Sequence, residues 1–196
     1  MGPFRNNTPK RSVSAMRVIT GTARGRRLKE LSGLETRPTT DKVKESLFNI
    51  IQFDIEGRQV LDLFGGTGQL GIECLSRGAA RCTFVDLRKE AAALIRENAA
   101  LCGFQDRARV VQGDYLAFLT GCRERFDLIL MDPPYASEML EKALTAAAGI
   151  DILSENGIMV CESAVEKDLP ELPEPYRKGR EYRYGKIKLT VYHRGL

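Results

Sequence analysis

One histidine, His193, stands in a chain of 196 residues, three positions from its end. A histidine-ligated metal cluster or a Ser-His-Asp triad is therefore not expected. The five cysteines, Cys74, Cys82, Cys102, Cys122 and Cys161, form no Cys-x-x-Cys pair. They read as reduced, mostly buried thiols, and no metal is expected. No apolar run approaches the ~18–20 residues of a membrane span, and no apolar secretory leader opens the chain. A cytoplasmic protein with no membrane partner is the expectation. Internal repeats and low-complexity tracts are absent too.

Acidic residues are missing from positions 1–29, where Arg5, Lys10, Arg11, Arg17, Arg24, Arg26, Arg27 and Lys29 stand unopposed. Since the whole chain carries only +4, the remainder is net negative and the basicity is local. Such an arm suits a polyanion, because Lys and Arg replace counterions condensed along a phosphate backbone. Arg17, Arg24, Arg26, Arg27 and Lys29 are the candidate RNA-binding set. Residues 1–15 read as a solvated tail, with Met16 opening the folded chain; a transit peptide is the last-ranked alternative.

Three units follow: the tail 1–15, a basic extension with a helix over 16–57, and a larger domain over 58–196. In the last, Val60–Phe64, Cys82–Asp86, Ala108–Gln112, Phe126–Met131 and Ile158–Glu162 read as strands. Helical stripes lie between them, one through Ala91, Leu94, Ile95, Asn98, Leu101 and Cys102 and one through Leu140, Ala143, Leu144 and Ala147. Alternation of this kind predicts an α/β fold with a doubly wound, mostly parallel sheet. Residues 176–184 and 186–193, joined around Gly185, must pair antiparallel, with Ile187, Leu189 and Val191 inward and Lys186, Lys188 and Thr190 outward. In the extension, Gly21 and Gly25 are turn candidates of a basic hairpin. A helix from Asp41, capped by Thr40 or Asp41, puts Val43, Leu47, Ile50 and Ile51 on one face.

The stretch Asp62-Leu-Phe-Gly-Gly-Thr-Gly-Gln-Leu-Gly71 follows a strand and opens a helix, the context of a nucleotide-binding loop. Phe64, Gly65, Gly66 and Gly68 lie where backbone approaches a ligand closely. Asp86 and Leu87 end the next strand, the carboxylate placed for ribose hydroxyls. Asp114, followed by Tyr115, is placed for an adenine amino group. These residues leave NAD and S-adenosylmethionine both open. Asp62 suits the cationic amino-acid end of S-adenosylmethionine better than a pyrophosphate, and a C-terminal antiparallel hairpin departs from the all-parallel dinucleotide fold.

After the apolar strand Phe126–Met131 comes Asp132-Pro133-Pro134-Tyr135. Two prolines fix φ and surrender their amides, so a rigid turn presents a carboxylate and carbonyls without competing donors. That set suits methylation of an amino group conjugated to an aromatic ring. Asp132 and the Pro133 carbonyl accept its two N–H bonds, turning the lone pair toward the methyl carbon, while Tyr135 stacks on the ring. Orientation of this kind supplies roughly 7–11 kcal/mol. The proton becomes acidic only after transfer, so no histidine base is needed.

Together with Arg17-Val-Ile-Thr-Gly-Thr-Ala-Arg-Gly25 and Arg37-Pro-Thr-Thr-Asp-Lys-Val-Lys-Glu-Ser-Leu-Phe-Asn49, these motifs resemble the bacterial family that methylates the exocyclic N2 of a guanine in 16S ribosomal RNA, the RsmD-like enzymes. The likeness runs from about Met16 to the C-terminus. It implies a class I methyltransferase fold with a seven-stranded sheet. S-adenosylmethionine is the implied donor and S-adenosylhomocysteine the product. The implied substrate is guanine 966 in the small ribosomal subunit or its assembly intermediate. Arg37 and Thr39 would border the cofactor's methionine end and the target base, and a monomer is expected.

Guanine N2 is masked by pairing or stacking, so the base is expected to be flipped into the pocket. Arg24, Arg26, Arg27 and Lys29 would hold flanking phosphates, with Arg183, Lys186 and Lys188 as a second set. Adenine-N6 methylation would use the same turn, but such enzymes usually carry a further target-recognition region. Glutamine methylation usually starts the turn with Asn. Carbon-5 methylation needs a cysteine nucleophile, typically in a Pro-Cys pair, and none occurs. Outside this class stand a nicotinamide-dependent oxidoreductase and a catalytically silent RNA-binding module.

Overall fold

A computed structural model describes residues 16–31, 41–134 and 138–195. The expected tail, Arg37, Thr39, the Thr40 cap and Tyr135 lie outside them.

The helices are α1 (Asp41–Ile50), α2 (Gln69–Ser76), α3 (Lys89–Leu101), α4 (Tyr115–Gly121) and α5 (Met139–Gly149). The strands are β1 (Gln59–Asp62), β2 (Arg81–Asp86), β3 (Ala108–Gln112), β4 (Phe126–Met131), β5 (Leu153–Ala164), β6 (Tyr176–Tyr184) and β7 (Ile187–Arg194). They form one sheet in the order β3-β2-β1-β4-β5-β7-β6. The pairs β1–β2, β1–β4, β2–β3 and β4–β5 are parallel, and β7 is antiparallel to both β5 and β6. This is the class I methyltransferase arrangement.

The central strands are apolar on both faces because both are covered. Val60, Leu128, Leu130 and Val160 meet α1, α2 and the 16–31 segment on one face; Leu61, Ile129, Met131 and Cys161 meet α4 and α5 on the other. Helix α4 was not anticipated. Asp114 creates it, accepting hydrogen bonds at Oδ1 from the amides of Leu116 and Ala117. Strand β1 ends at Asp62 rather than Phe64, and β5 starts five residues before Ile158.

The outward assignment of Lys188 and Thr190 is wrong. Both are fully buried, because β7 lies inside the sheet between β5 and β6 and segment 165–175 covers its second face. There Tyr192 donates to the Pro170 carbonyl (2.8 Å) and Lys178 to that of Leu169 (3.0 Å). Lys188 Nζ lies 3.1 Å from Glu181 Oε1. It cannot hold a phosphate, whereas Arg183 and Lys186 remain exposed.

Residues 16–31 form the expected hairpin, with Arg17 bridged antiparallel to Arg27. Val18, Ala23 and Leu28 are buried, and Arg17, Arg24, Arg26, Arg27 and Lys29 are exposed. Gly21 has a φ of 84°, and a Cβ there would lie 1.9 Å from the Ser76 carbonyl oxygen. Only glycine lets the hairpin tip press so closely on the end of α2.

Candidate cofactor and substrate site

Strands β1 and β4 are neighbours whose chains leave in opposite directions across the sheet, the position at which α/β sheets open a ligand crevice. Asp62 pairs in register with Leu130, and the Leu63 amide donates to the Leu130 carbonyl at 3.1 Å. Asp132, two residues further along, therefore stands at the mouth of this crevice beside Phe64 and the glycine loop. Asp132 is half-buried, Pro133 buried and Pro134 exposed.

Asp62 is buried and accepts the Gly71 amide at Oδ2 (3.1 Å). Burial, above all, pushes its carboxyl up to about 7; the Gly71 hydrogen bond opposes this and the charge of Asp86 adds to it. A carboxyl so placed gains a full charge when a cation arrives. Gly71 allows the contact: a Cβ would meet the Phe84 ring at 2.3 Å, so α2 seats tightly on β2.

The loop itself turns on Gly66 (φ 56°) and Gly68 (φ 81°). Gly68 is the N-cap of α2 and brings no side chain to the first turn; Asp62 takes the Gly71 amide, and those of Gln69 and Leu70 face the cleft end of the helix. Asp86 closes the far side. Its Oδ2 accepts the Gly66 amide (2.9 Å), and both its oxygens contact the Arg88 guanidinium (3.2 and 3.3 Å). Leu87 is 66% exposed beside it, an apolar surface suited to an aromatic face. Phe64 and Tyr115 come together with ring centroids 5.1 Å apart, and Asp114 caps α4 next to them. The structure thus brings Asp62, Phe64, Gly65, Gly66, Gly68, Asp86, Leu87, Asp114, Tyr115 and Asp132 to the carboxyl edges of β1–β4. A buried carboxylate, a helix start without a side-chain cap and an apolar shelf fit a ligand with one cationic end and one nucleoside end.

The sequence profile of the family described as conserved hypothetical protein 95 matches residues 16–193. The chain belongs to this family, the RsmD-like S-adenosylmethionine-dependent RNA methyltransferases. The Escherichia coli ribosomal RNA small subunit methyltransferase D is 33% identical over 179 residues, covering 91% of this chain and 90% of that protein. A Bacillus subtilis protein named as an rRNA methyltransferase, YlbH, is 40% identical over 180 residues, covering 90% and 98%. A solved Escherichia coli structure described as the methyltransferase yhhF superposes with a TM-score of 0.84 at 31% identity, covering 92% and 98%. The nicotinamide alternative falls with this membership.

Cys74, Cys82 and Cys161 are buried, and burial pushes their thiols up, so none of the three offers a thiolate. Among the described residues no cluster of His, Cys, Asp and Glu could hold a metal, and no helix is long and apolar enough to cross a membrane.

Two residues that matter to the methyltransferase were not singled out from sequence. Glu73 of α2 is fully buried and accepts the amides of Ile19 (2.8 Å) and Thr20 (2.9 Å), with Arg77 Nε at 2.9 Å and Lys44 Nζ at 3.5 Å. It anchors the hairpin to the helix that the glycine loop opens. Asn98 of α3 was read only as part of an apolar stripe. The available signal was the same for both: a polar side chain on a helix face otherwise destined for the core.

Proposed function

We propose that this enzyme transfers a methyl group to the exocyclic N2 of a guanine, guanine 966, in 16S ribosomal RNA. The reading is supported most directly by the β1–β4 register, which sets the proline-stiffened turn at Asp132 beside the Asp62 glycine loop. The named substrate of the Escherichia coli relative adds to it. When bound, S-adenosylmethionine supplies an electrophilic methyl carbon on its sulfonium. Asp62 would hold its ammonium and Asp86 its ribose hydroxyls, beside the Gly66 amide that Asp86 already accepts. Leu87 would cover the adenine, Asp114 would accept a hydrogen bond from its amino group, and Phe64 and Tyr115 would wall the pocket. Arg37 and Thr39, by the family resemblance, would border the methionine end.

Asp132 and the Pro133 carbonyl would accept the two N–H bonds of the target nitrogen, and Tyr135 would stack on the base. Pro134 holds the turn rigid. We take residues 16–57 as a substrate-handling extension of the catalytic unit 58–196.

The hairpin supports an RNA substrate on its own physics. The amides of Val18 and Leu28 donate to the carbonyls of Arg26 and Met16, so Arg17 and Arg27 form a non-hydrogen-bonded antiparallel pair. In such a pair side chains are closest and like charges repel. A phosphate between the two guanidiniums relieves that repulsion.

Mass mapping of 16S RNA after incubation with labelled donor tests the assignment, and label on adenine N6 would favour the alternative acceptor. Asp132→Ala should retain cofactor binding yet lose at least about a hundredfold in transfer rate; undiminished transfer would remove Asp132 from the chemistry.

A further inference from the structure

Asn98 is wholly buried in α3 and joins the two functional halves of the molecule. Its Oδ1 accepts the Lys29 amide at 2.8 Å, while its Nδ2 donates to the carbonyls of Lys29 (3.1 Å) and Thr67 (2.9 Å). Lys29 belongs to the basic hairpin, and Thr67 stands between Gly66 and Gly68 at the apex of the cofactor loop. One primary amide has two N–H donors, and here each goes to a different partner. The orientation is chemically forced, since the flipped amide would aim N–H at the Lys29 N–H. A second contact runs alongside: Thr67 Oγ1 donates to Met16 Sδ at 3.3 Å, again from loop to hairpin.

The location gives this bridge leverage. Two glycines with positive φ make the Thr67–Gly68 peptide a pivot, and fixing the Thr67 carbonyl fixes the Gly68 amide, which donates to Gly65 at 2.6 Å. Outside the bridge the hairpin's tip is pinned by Glu73 and Ser76, both on the helix that begins at this loop, while Lys44 of α1 donates to the Arg17 carbonyl and Lys29 pairs with Glu97 of α3 at the surface. A cofactor that prefers the loop in this geometry must therefore favour the docked hairpin, and RNA that prefers the docked hairpin must favour this loop.

We infer that Asn98 is a positioning residue that couples cofactor binding in the glycine loop to RNA binding on the basic hairpin, making the two cooperative. The inference rests on the hairpin being the RNA surface. Its first part, coupling of loop to hairpin, does not need RNA to be tested.

Hydrogen exchange of the Lys29 amide in the wild-type enzyme, with and without S-adenosylhomocysteine, reads that part directly. Slowing by about fivefold or more is expected, and indifference to the ligand overturns the inference whether or not any variant folds. Calorimetry of S-adenosylhomocysteine with and without a small-subunit RNA fragment reads the second part. RNA should tighten the wild-type Kd by about fivefold or more, at the low end of typical coupling. In Asn98→Ala and Asn98→Ser the ratio should approach one while the variants still bind each ligand alone. An unchanged ratio in a folded variant would dismiss Asn98 as the coupler. RNA binding left unaffected by reversing Arg26 and Arg27 is a different failure, that of the hairpin as RNA surface, and leaves the exchange result standing.

Discussion

Asp62 shows how one position sets a measurable property of the site. Its carboxyl sits near 7 because it is buried, so below neutrality the ligand-free enzyme holds a proton where a cationic ammonium would bind. Binding must expel that proton. Affinity for S-adenosylmethionine is therefore expected to rise from about pH 5.5 to 7, by at most about tenfold per unit. Calorimetry in buffers of different ionisation enthalpy should register the release, and Asp62→Asn should abolish both the slope and the release. A pH-independent affinity in the wild type would detach Asp62 from the ammonium.

At the scale of the element, the basic hairpin 16–31, the proposed RNA surface, is fastened to the methyltransferase sheet by long-range hydrogen bonds. Its docking depends on Glu73 far more than on its own short ladder. Glu73→Ala removes a carboxylate that accepts two hairpin amides and faces Lys44 and Arg77. Breaking a buried pair from one side costs about 3–5 kcal/mol, or roughly 10 °C in Tm for a chain of this size. Thermal scans with limited proteolysis at Arg24–Arg27 should show lower stability and earlier cleavage than in the wild type. The basic face is a separate matter. Reversing Arg26 and Arg27 should weaken RNA binding and flatten its salt dependence by at least about 1.5 in log–log slope, leaving cofactor affinity in the absence of RNA intact. Equal loss of both affinities would contradict the division of labour between hairpin and cleft.

Across the whole molecule, the sheet closes through a polar lock at the edge opposite the site. Asp151 accepts Arg194 Nε (2.8 Å) and Nη2 (3.0 Å), Arg125 Nη2 (2.8 Å) and the Tyr176 hydroxyl (2.9 Å), tying β6 and β7 to the turn before β5. The Arg194 hydrogen bond, followed by those of Tyr176 and Arg125, holds its carboxyl well below the ordinary 3.8. A depressed carboxyl stabilises the fold above its unfolded value and loses that contribution as pH falls below it. Asp151→Asn tolerates the same left-handed backbone, φ 53°, and keeps the shape of the side chain. Its Tm should fall below the wild type at pH 7, and the gap should narrow steadily below about pH 4. A gap independent of pH would mean that shape rather than charge holds this corner.

The strand–helix alternation, the antiparallel finish and the glycine loop were legible in the sequence because each is a local pattern. Periodicity of two or 3.6, glycine where φ is positive and proline where a donor must vanish all act within a few residues. What the chain order could not show was which polar side chains would be enclosed. Lys188 alternates like a surface residue, yet it is buried because segment 165–175 folds over β7. Asp114 looks free until it caps α4, and Glu73 and Asn98 look incidental until a hairpin 53 or 69 residues away supplies their partners. Burial and long-range hydrogen bonding arise from surfaces that meet only in three dimensions. The sequence by itself determined the fold class and, through the family its motifs resemble, the cofactor; the tertiary structure alone decided how the basic hairpin is fastened to the glycine loop, because those contacts join residues far apart in the chain.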